Sequence, residues 1–181
     1  MSRELPPPLP PETRTVGQLV AETLVCGIGP VEAAAATARA LAERRPAALL
    51  HVGIAGARGL PVGTAVLGTE ALYEDLAAAI PVVDREQPDA RLLAALREAV
   101  PELRALPIAT SARVGSARGA AVEAMEGFGV LRAAALAGVA AVEVRVVSNE
   151  IGEPDRARWR FDEALAALAQ LLPRLVAAAQ P

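Results

Sequence analysis

Two dipeptides and two glycine turns hold the residue types that could do chemistry in this chain. The first dipeptide is Met125-Glu126, inside AVEAMEGFGV. Val122, Met125 and Val130 recur at helical spacing around it, which predicts a helix over 120–138 with Glu126 on a mostly buried face. A buried carboxylate is costly unless it is paired or bound to a ligand. Vicinal sugar hydroxyls suit it, because one ionised carboxylate can accept two hydrogen bonds from a cis-diol. The plain alternative, an acid facing solvent, fits Glu123 better than Glu126. The second dipeptide, Ser148-Asn149, ends the β-branched run EVRVV and leads into Ile-Gly-Glu-Pro. Such a pair serves turns, but an amide there also offers both a donor and an acceptor.

The glycine turns are CGIGP and VGIAGA. Gly27 and Gly29 stand ahead of a helix, where backbone N–H groups can meet an anion or a sugar hydroxyl. The third glycine of a dinucleotide fingerprint is missing, and a tight strand-to-helix turn explains the pair equally well. Gly53 and Gly56 permit close approach of backbone to a ligand, or simply close packing.

Composition narrows the classes. The 181 residues are 53% hydrophobic and 22% charged, enough for one globular core, and only 2% aromatic, so that core is aliphatic. All 18 basic residues are arginine, spread along the chain, and the net charge is −3. An acidic balance argues against a nucleic-acid surface. The single cysteine, Cys26, excludes an internal disulfide and a cysteine-based zinc site, and one histidine excludes a histidine-rich metal site. Cys26 and His51 both lie in apolar runs, which favours a buried thiol and a core imidazole over a nucleophile and a general base. Arg132, Glu143 and Arg145 interrupt the most apolar stretch, 130–147, against a membrane span. No basic-then-apolar leader opens the chain, which leaves a cytoplasmic location.

Periodicity shows which strands and helices carry these residues. Residues 1–14 form a proline-rich extended segment, and 15–181 a single domain. Strands are expected over 15–29, AALLHVGIAGA, VGTAVLGTE, 102–112 and 139–147; a polar connection is expected to begin near Tyr73. Helices are expected from Pro30, over 89–99 with Asp89 as N-cap, over 120–138, and over 159–179 with a bend at Pro173. Alternating strands and helices give an α/β fold whose central mixed sheet is flanked by helices on both faces. Ligands in such sheets collect at strand ends and helix N-termini.

CGIGPVEAAAA, HVGIAGA, GTEALYEDL, VEAMEG and VRVVSN, in that order, resemble the purine nucleoside phosphorylase/nucleosidase superfamily over about residues 15–175. Within it the likeness is nearest to the futalosine hydrolases of an alternative menaquinone pathway, and the chain is also similar to methylthioadenosine/S-adenosylhomocysteine nucleosidases. The resemblance implies hydrolysis of a purine nucleoside, no cofactor, no metal, and a homodimer or higher homo-oligomer. It implies that Glu126 accepts the ribose 2′- and 3′-hydroxyls, that Met125 packs on the sugar, and that Ala55 and Gly56 line the ribose and nucleophile pocket. Ser148 and Asn149 would face the purine, Asn149 as the catalytic residue, with Arg113 and Val114 against the base.

Asn149 bears on the substrate. A departing purine gains negative charge, so a donor near N7 or O6 lowers the barrier. Asparagine cannot be a proton-donating acid, but its donor and acceptor match a 6-oxopurine of the hypoxanthine type. Two features depart from the family pattern. The usual first strand is missing, and with it the acid that orients the attacking water; Glu4 and Glu12 are the only acids before residue 15 and neither follows an apolar strand. A phosphorylase would need basic groups for its anion, and only Arg58 stands near the GIAG turn. Arg156, Arg158 and Arg160 could meet a carboxylate-bearing substrate tail or simply form a solvated helix face; Tyr73 and Asp75 could shape the pocket or a subunit contact.

Overall fold

β-Branched runs bounded by glycine and proline form strands, and Ala/Leu-rich runs form helices. The computed structural model describes residues 12–16 and 19–180. Among the described residues eight strands occur in the order β1 (Glu12–Val16), β2 (Leu19–Thr23), β3 (Leu49–Ala57), β4 (Ala65–Tyr73), β5 (Arg85–Glu86), β6 (Arg104–Thr110), β7 (Val122–Ala124) and β8 (Ala141–Glu150). The helices are α1 (Pro30–Glu43), α2 (Ala90–Ala99), α3 (Gly127–Ala137) and α4 (Phe161–Ala178), the last with Pro173 inside it.

β3 and β8 run parallel, from Leu49 opposite Ala141 to Ala57 opposite Glu150. β6 pairs in parallel with β4 and β7, β7 pairs antiparallel with β3, and β8 pairs antiparallel with β4. The pairings β4–β6–β7–β3–β8 therefore return to β4, and the mixed sheet closes into a barrel with β5 attached to β4. Ala55, Ala57, Val66, Ile108, Val122 and Val147 form one core cluster of strand residues. α2 and α4 bury a second cluster against Leu67, Val142, Val144 and Val146, while α1 and α3 bury a third against Ala71 and Ala141. The expected mixed sheet with two helical layers is the observed one.

Local chemistry sets the helix ends. Asp89 caps α2, accepting from Leu92 N–H at 2.9 Å, as expected of its position after Pro88. Pro30 opens α1, and Gly138, at φ 66°, ends α3 in the left-handed conformation that glycine adopts freely. Tyr73 and Phe128 stack 5.1 Å apart where β4 meets α3.

The structure corrects four expectations. The strand expected over 15–29 is the second half of a hairpin: Val16 lies opposite Leu19, β1 and β2 pair with each other apart from the barrel, and residues 24–29 form a loop. Gly27 and Gly29 have φ of 86° and 92°, which no extended strand accommodates. The helix expected over 120–138 is β7 followed by α3, because pairing with both β3 and β6 overrides the helix propensity of an alanine-rich stretch. The strand expected to stop at Val147 continues to Glu150, so Ser148-Asn149 lies within β8. The strand expected over VGTAVLGTE runs three residues further, to Tyr73, and the polar connection begins there. Of the proline-rich segment 1–14, residues 1–11 lie outside the described residues.

α1 and α3 meet at Gly129, where an added Cβ would lie 2.4 Å from the Pro30 carbonyl oxygen. Alanine gains about 1 kcal/mol of helix propensity over glycine, but overpacking costs about 1–3 kcal/mol, and a backbone oxygen has little room to yield. Gly129→Ala is expected to lower the melting temperature by several degrees, at roughly 2–4 °C per kcal/mol for a chain of this size. An unchanged or higher Tm by circular dichroism would contradict this contact.

Candidate active site

Glu126 is not on a helix face. It sits two residues past β7 as the N-cap of α3, at φ −121°, with its side chain 12% exposed. Its Oε1 accepts from Gly29 N–H at 3.1 Å, and its Oε2 from Arg145 Nη2 at 3.2 Å. The tight α1–α3 contact brings Gly29, the N-cap of α1, to this carboxylate. Met125 is half-buried beside it.

Arg145 is the hub behind Glu126. It projects from β8 and is buried, with Nε donating to Glu143 Oε1 at 2.7 Å and Nη1 to the Ile54 carbonyl at 3.3 Å. Nη2 also contacts His51 Nε2 on β3. Burial lowers the guanidinium's proton affinity, but the carboxylates of Glu143 and Glu126 outweigh it and raise its pKa. Burial raises the pKa of Glu143, against the opposing effect of Arg145. Burial and then Arg145 hold His51 well below the ordinary imidazole value, so it is neutral and accepts at Nε2. Burial and the Glu126 carboxylate push the half-buried Cys26 thiol up, in keeping with an unreactive thiol.

Ser148 and Asn149 owe their placement to a β-bulge. Ala55 lies opposite Val147 but Gly56 lies opposite Asn149, so Ser148 is an extra residue on β8 and breaks the alternation through Glu143, Arg145 and Val147. Ser148 Oγ lies 3.2 Å from the Ala55 carbonyl and 2.7 Å from Asn149 Oδ1, with geometry to donate to either. Asn149 Nδ2 donates to the Glu150 carbonyl at 3.0 Å. Both residues are buried, as is Ala55. An added Cβ on Gly56 would lie 3.1 Å from Asn149 Nδ2, so this glycine lets the amide approach β3.

The loop between β6 and β7 carries Arg113 and Val114, both exposed. Two carboxylates hold it by its backbone. Glu123 accepts from the N–H groups of Gly115, Ser116 and Ala117 at 2.6, 2.8 and 2.7 Å, and Glu74 from those of Arg118, Gly119 and Ala120 at 2.6–3.1 Å. Glu123 is thus buried, contrary to its expected place in solvent, because it replaces water for three loop amides. Asp75 binds Ala112 N–H in the same loop. Arg58 donates to the carbonyls of Ala120 and Ala117. Tyr73, Glu74, Asp75, Arg113, Ser116 and Arg118 help wall a cavity of about 850 Å³ in which neither Glu126 nor Asn149 takes part.

The expected site residues therefore fall into three groups. Ala55, Gly56, Ser148 and Asn149 meet across β3 and β8; Met125 and Glu126 stand at the head of α3; Arg113 and Val114 occupy the outer loop. Of the two acids expected near the N-terminus, Glu4 lies outside the described residues and Glu12 opens β1 in the hairpin. Arg158 and Arg160 are exposed and paired with Glu153 and Glu163, and Arg156 lies over the Trp159 ring, which fits a solvated face. Sequence reasoning missed the Arg145, Glu143 and His51 cluster, whereas the Gly29 amide meets an anion as its place ahead of α1 suggested, the anion being the Glu126 carboxylate. A signal was present: Glu143 and Arg145 are two apart in a β-branched run, the spacing that sets both on one face of a strand.

A mixed barrel with helical layers and a carboxylate at the head of an inner helix defines a fold class, and sequence comparison places the chain within it. The chain belongs to the Phosphorylase superfamily, whose pattern it matches over residues 12–180. More narrowly, it is similar to a futalosine hydrolase from Streptomyces coelicolor, 38% identical over 182 residues, covering 85% of this chain and 77% of that protein. A futalosine hydrolase mutant from Helicobacter pylori superposes with a TM-score of 0.83 at 17% identity, covering 94% of this chain and 88% of that one. A 5′-methylthioadenosine/S-adenosylhomocysteine nucleosidase from Neisseria meningitidis, in complex with methylthio-immucillin-A, gives 0.77 at 23% identity, covering 92% and 89%.

The buried imidazole gives the site a pH signature. An unfolded histidine takes a proton near pH 6.5, whereas folded His51 resists it. The unfolded state then binds more protons, so the stability His51 contributes is present above about pH 6.5 and is lost as pH falls below it. Glu143, raised by burial, contributes with the opposite sign. The drop in Tm between pH 7.5 and 5.5 is therefore expected to be smaller in His51→Gln, which retains Glu143, than in the parent. Equal drops would contradict a buried neutral imidazole.

Proposed function

We propose that this chain hydrolyses the N-glycosidic bond of a purine nucleoside, with futalosine as the favoured substrate, releasing hypoxanthine and leaving dehypoxanthine futalosine. The observation that carries the reading is Glu126, whose two carboxylate oxygens each accept one bond from the protein, from Gly29 N–H and from Arg145. A carboxylate offers about four acceptor positions, so each oxygen keeps room for one ribose hydroxyl, 2′ and 3′. The 38% identity to a futalosine hydrolase supports the same reaction.

In the proposed reaction the ribose becomes oxocarbenium-like as the purine leaves with the bonding electrons, and water adds at C1′, giving up a proton that the purine anion takes up. Glu126 binds the diol and faces the growing positive charge, while Met125 packs on the sugar. Asn149 serves the leaving group. Ser148 Oγ and the Glu150 carbonyl fix its amide, and the second Nδ2 proton is the donor for O6 or N7. Ala55 and Gly56 line the ribose and nucleophile pocket, and Arg113 and Val114 close over the base from their loop.

Water is favoured over phosphate as the nucleophile because both guanidinium groups near the GIAG turn are committed, Arg58 to two loop carbonyls and Arg145 to Glu143, Glu126 and the Ile54 carbonyl. We place the protein in the cytoplasm as a homodimer or higher homo-oligomer. Among the described residues no helix is long and apolar enough to cross a membrane. Exposed Ile28 and Val31 at the start of α1 offer apolar surface to a second copy.

The test is to incubate the purified chain with futalosine and with its 6-amino analogue, with and without phosphate. Release of hypoxanthine without phosphate, at least tenfold faster than release of adenine from the analogue, is expected. In Asn149→Asp an oxygen replaces Nδ2 beside the Glu150 carbonyl, now 3.0 Å away, and the preference should narrow. Phosphate-dependent release, comparable turnover of both substrates, or an unchanged preference in the variant would contradict the reading.

A further inference from the structure

Glu143 is a buried acid that the proposed reaction does not use. It is 1% exposed; Oε1 accepts from Arg145 Nε at 2.7 Å, and Oε2 has no hydrogen-bond partner among the described residues. An unsatisfied buried polar atom costs about 1–3 kcal/mol, and a buried ion pair is often no more stabilising than an apolar substitute. The surroundings are nevertheless shaped to admit this pair. A Cβ on Gly127 would lie 2.1 Å from Glu143 Oε2, and one on Gly53 would lie 2.4 Å from Arg145 Nη1. Two glycines on two different elements leave space for the pair.

A charge count shows what Glu143 supplies. Arg145 on β8 contacts the carboxylates of Glu143 and Glu126. His51 on β3 also faces it, at 3.9 Å from Glu143 Oε1, but as a neutral imidazole. The Cys26 thiol, ahead of α1, adds no charge. With both carboxylates ionised the cluster carries one net negative charge. Without Glu143, Arg145 and Glu126 would form a neutral pair, and a cationic ribosyl group would meet no net field.

We propose that Glu143 is a positioning residue for N-glycosidic cleavage: through its bond to Arg145 Nε it offsets the guanidinium charge and fixes its plane, so that Glu126 presents net negative charge to the oxocarbenium-like ribose. The proposal rests on the nucleosidase reading above. The ground-state nucleoside has a neutral ribose, so the effect belongs to the transition state and to kcat, with little change in KM. Low dielectric around the buried groups strengthens it.

The experiment compares steady-state hydrolysis by the parent, Glu143→Gln, Glu143→Asp, Glu126→Gln and the Glu143→Gln/Glu126→Gln double variant, each checked for folding by circular dichroism and Tm. Glu143→Gln keeps the shape and loses the charge, so kcat should fall by about thirtyfold or more with KM changed less than about threefold. Glu143→Asp keeps the charge and loses reach, and should retain more activity than Gln. In the double variant, loss of Glu143 should cost much less than in the parent, because its effect passes to the sugar through Glu126. Three outcomes would overturn the proposal: an unchanged kcat in Glu143→Gln, an Asp variant worse than the Gln variant, or losses that combine independently. If Glu143→Gln fails to fold, the Asp variant decides: a folded Asp variant with kcat lowered thirtyfold overturns it, and one near parent kcat supports it. A parent chain that cleaves no purine nucleoside would instead sink the function itself.

Discussion

A guanidinium carries five N–H donors and a permanent charge, and neither can be buried in an aliphatic barrel without partners. Arg145 meets that demand with Glu143, Glu126, His51 and the Ile54 carbonyl, drawn from β8, the β7–α3 junction and β3. The requirement ties three separate parts of the chain to one side chain. It also accounts for features that are odd in isolation. Glu126 leaves the strand as an N-cap without a capping bond of its own, because its oxygens are engaged by Arg145 and Gly29. Gly53 and Gly127 lack side chains where any Cβ would strike the ion pair. The sole histidine is held neutral first by its burial and then by the positive charge beside it.

Small side chains make this arrangement possible. Alanine and glycine let backbones approach closely, so main-chain groups reach the site directly: the Gly29 amide binds Glu126, and the Ala55 carbonyl lies within reach of Ser148. The same economy governs the outer loop, where Glu123 and Glu74 each gather three backbone amides and Arg113 and Val114 stay exposed. The site is thus built by carboxylates and backbone in a core with few aromatic rings.

Much of this was legible in the residues. Periodicity located α1, α2, β3 and β6, and Asp89 was identified as a cap from its place after Pro88. Glu126 stood out because its neighbours are apolar. Two of the misreadings share one cause, tertiary pairing that local pattern cannot register. Val122-Glu123-Ala124 has the composition of a helix yet becomes a strand because β3 and β6 flank it. Ser148-Asn149 has the composition of a turn yet stays in β8, where a bulge absorbs the extra residue. Glu143 and Arg145, first useful only for excluding a membrane span, are the charged pair at the centre of the site; their two-residue spacing on a strand was the clue.

In the proposed reaction Glu126, held by Arg145 and Gly29, binds the ribose diol. Calorimetric binding of inosine, 2′-deoxyinosine and 3′-deoxyinosine to the parent and to Glu126→Gln, under conditions of negligible turnover, measures this. Loss of either hydroxyl is predicted to weaken binding to the parent about tenfold or more, on the scale of one charge-assisted hydrogen bond, while the variant binds all three weakly and alike. If the parent binds the three nucleosides equally, or the variant discriminates among them as the parent does, the carboxylate does not hold the diol.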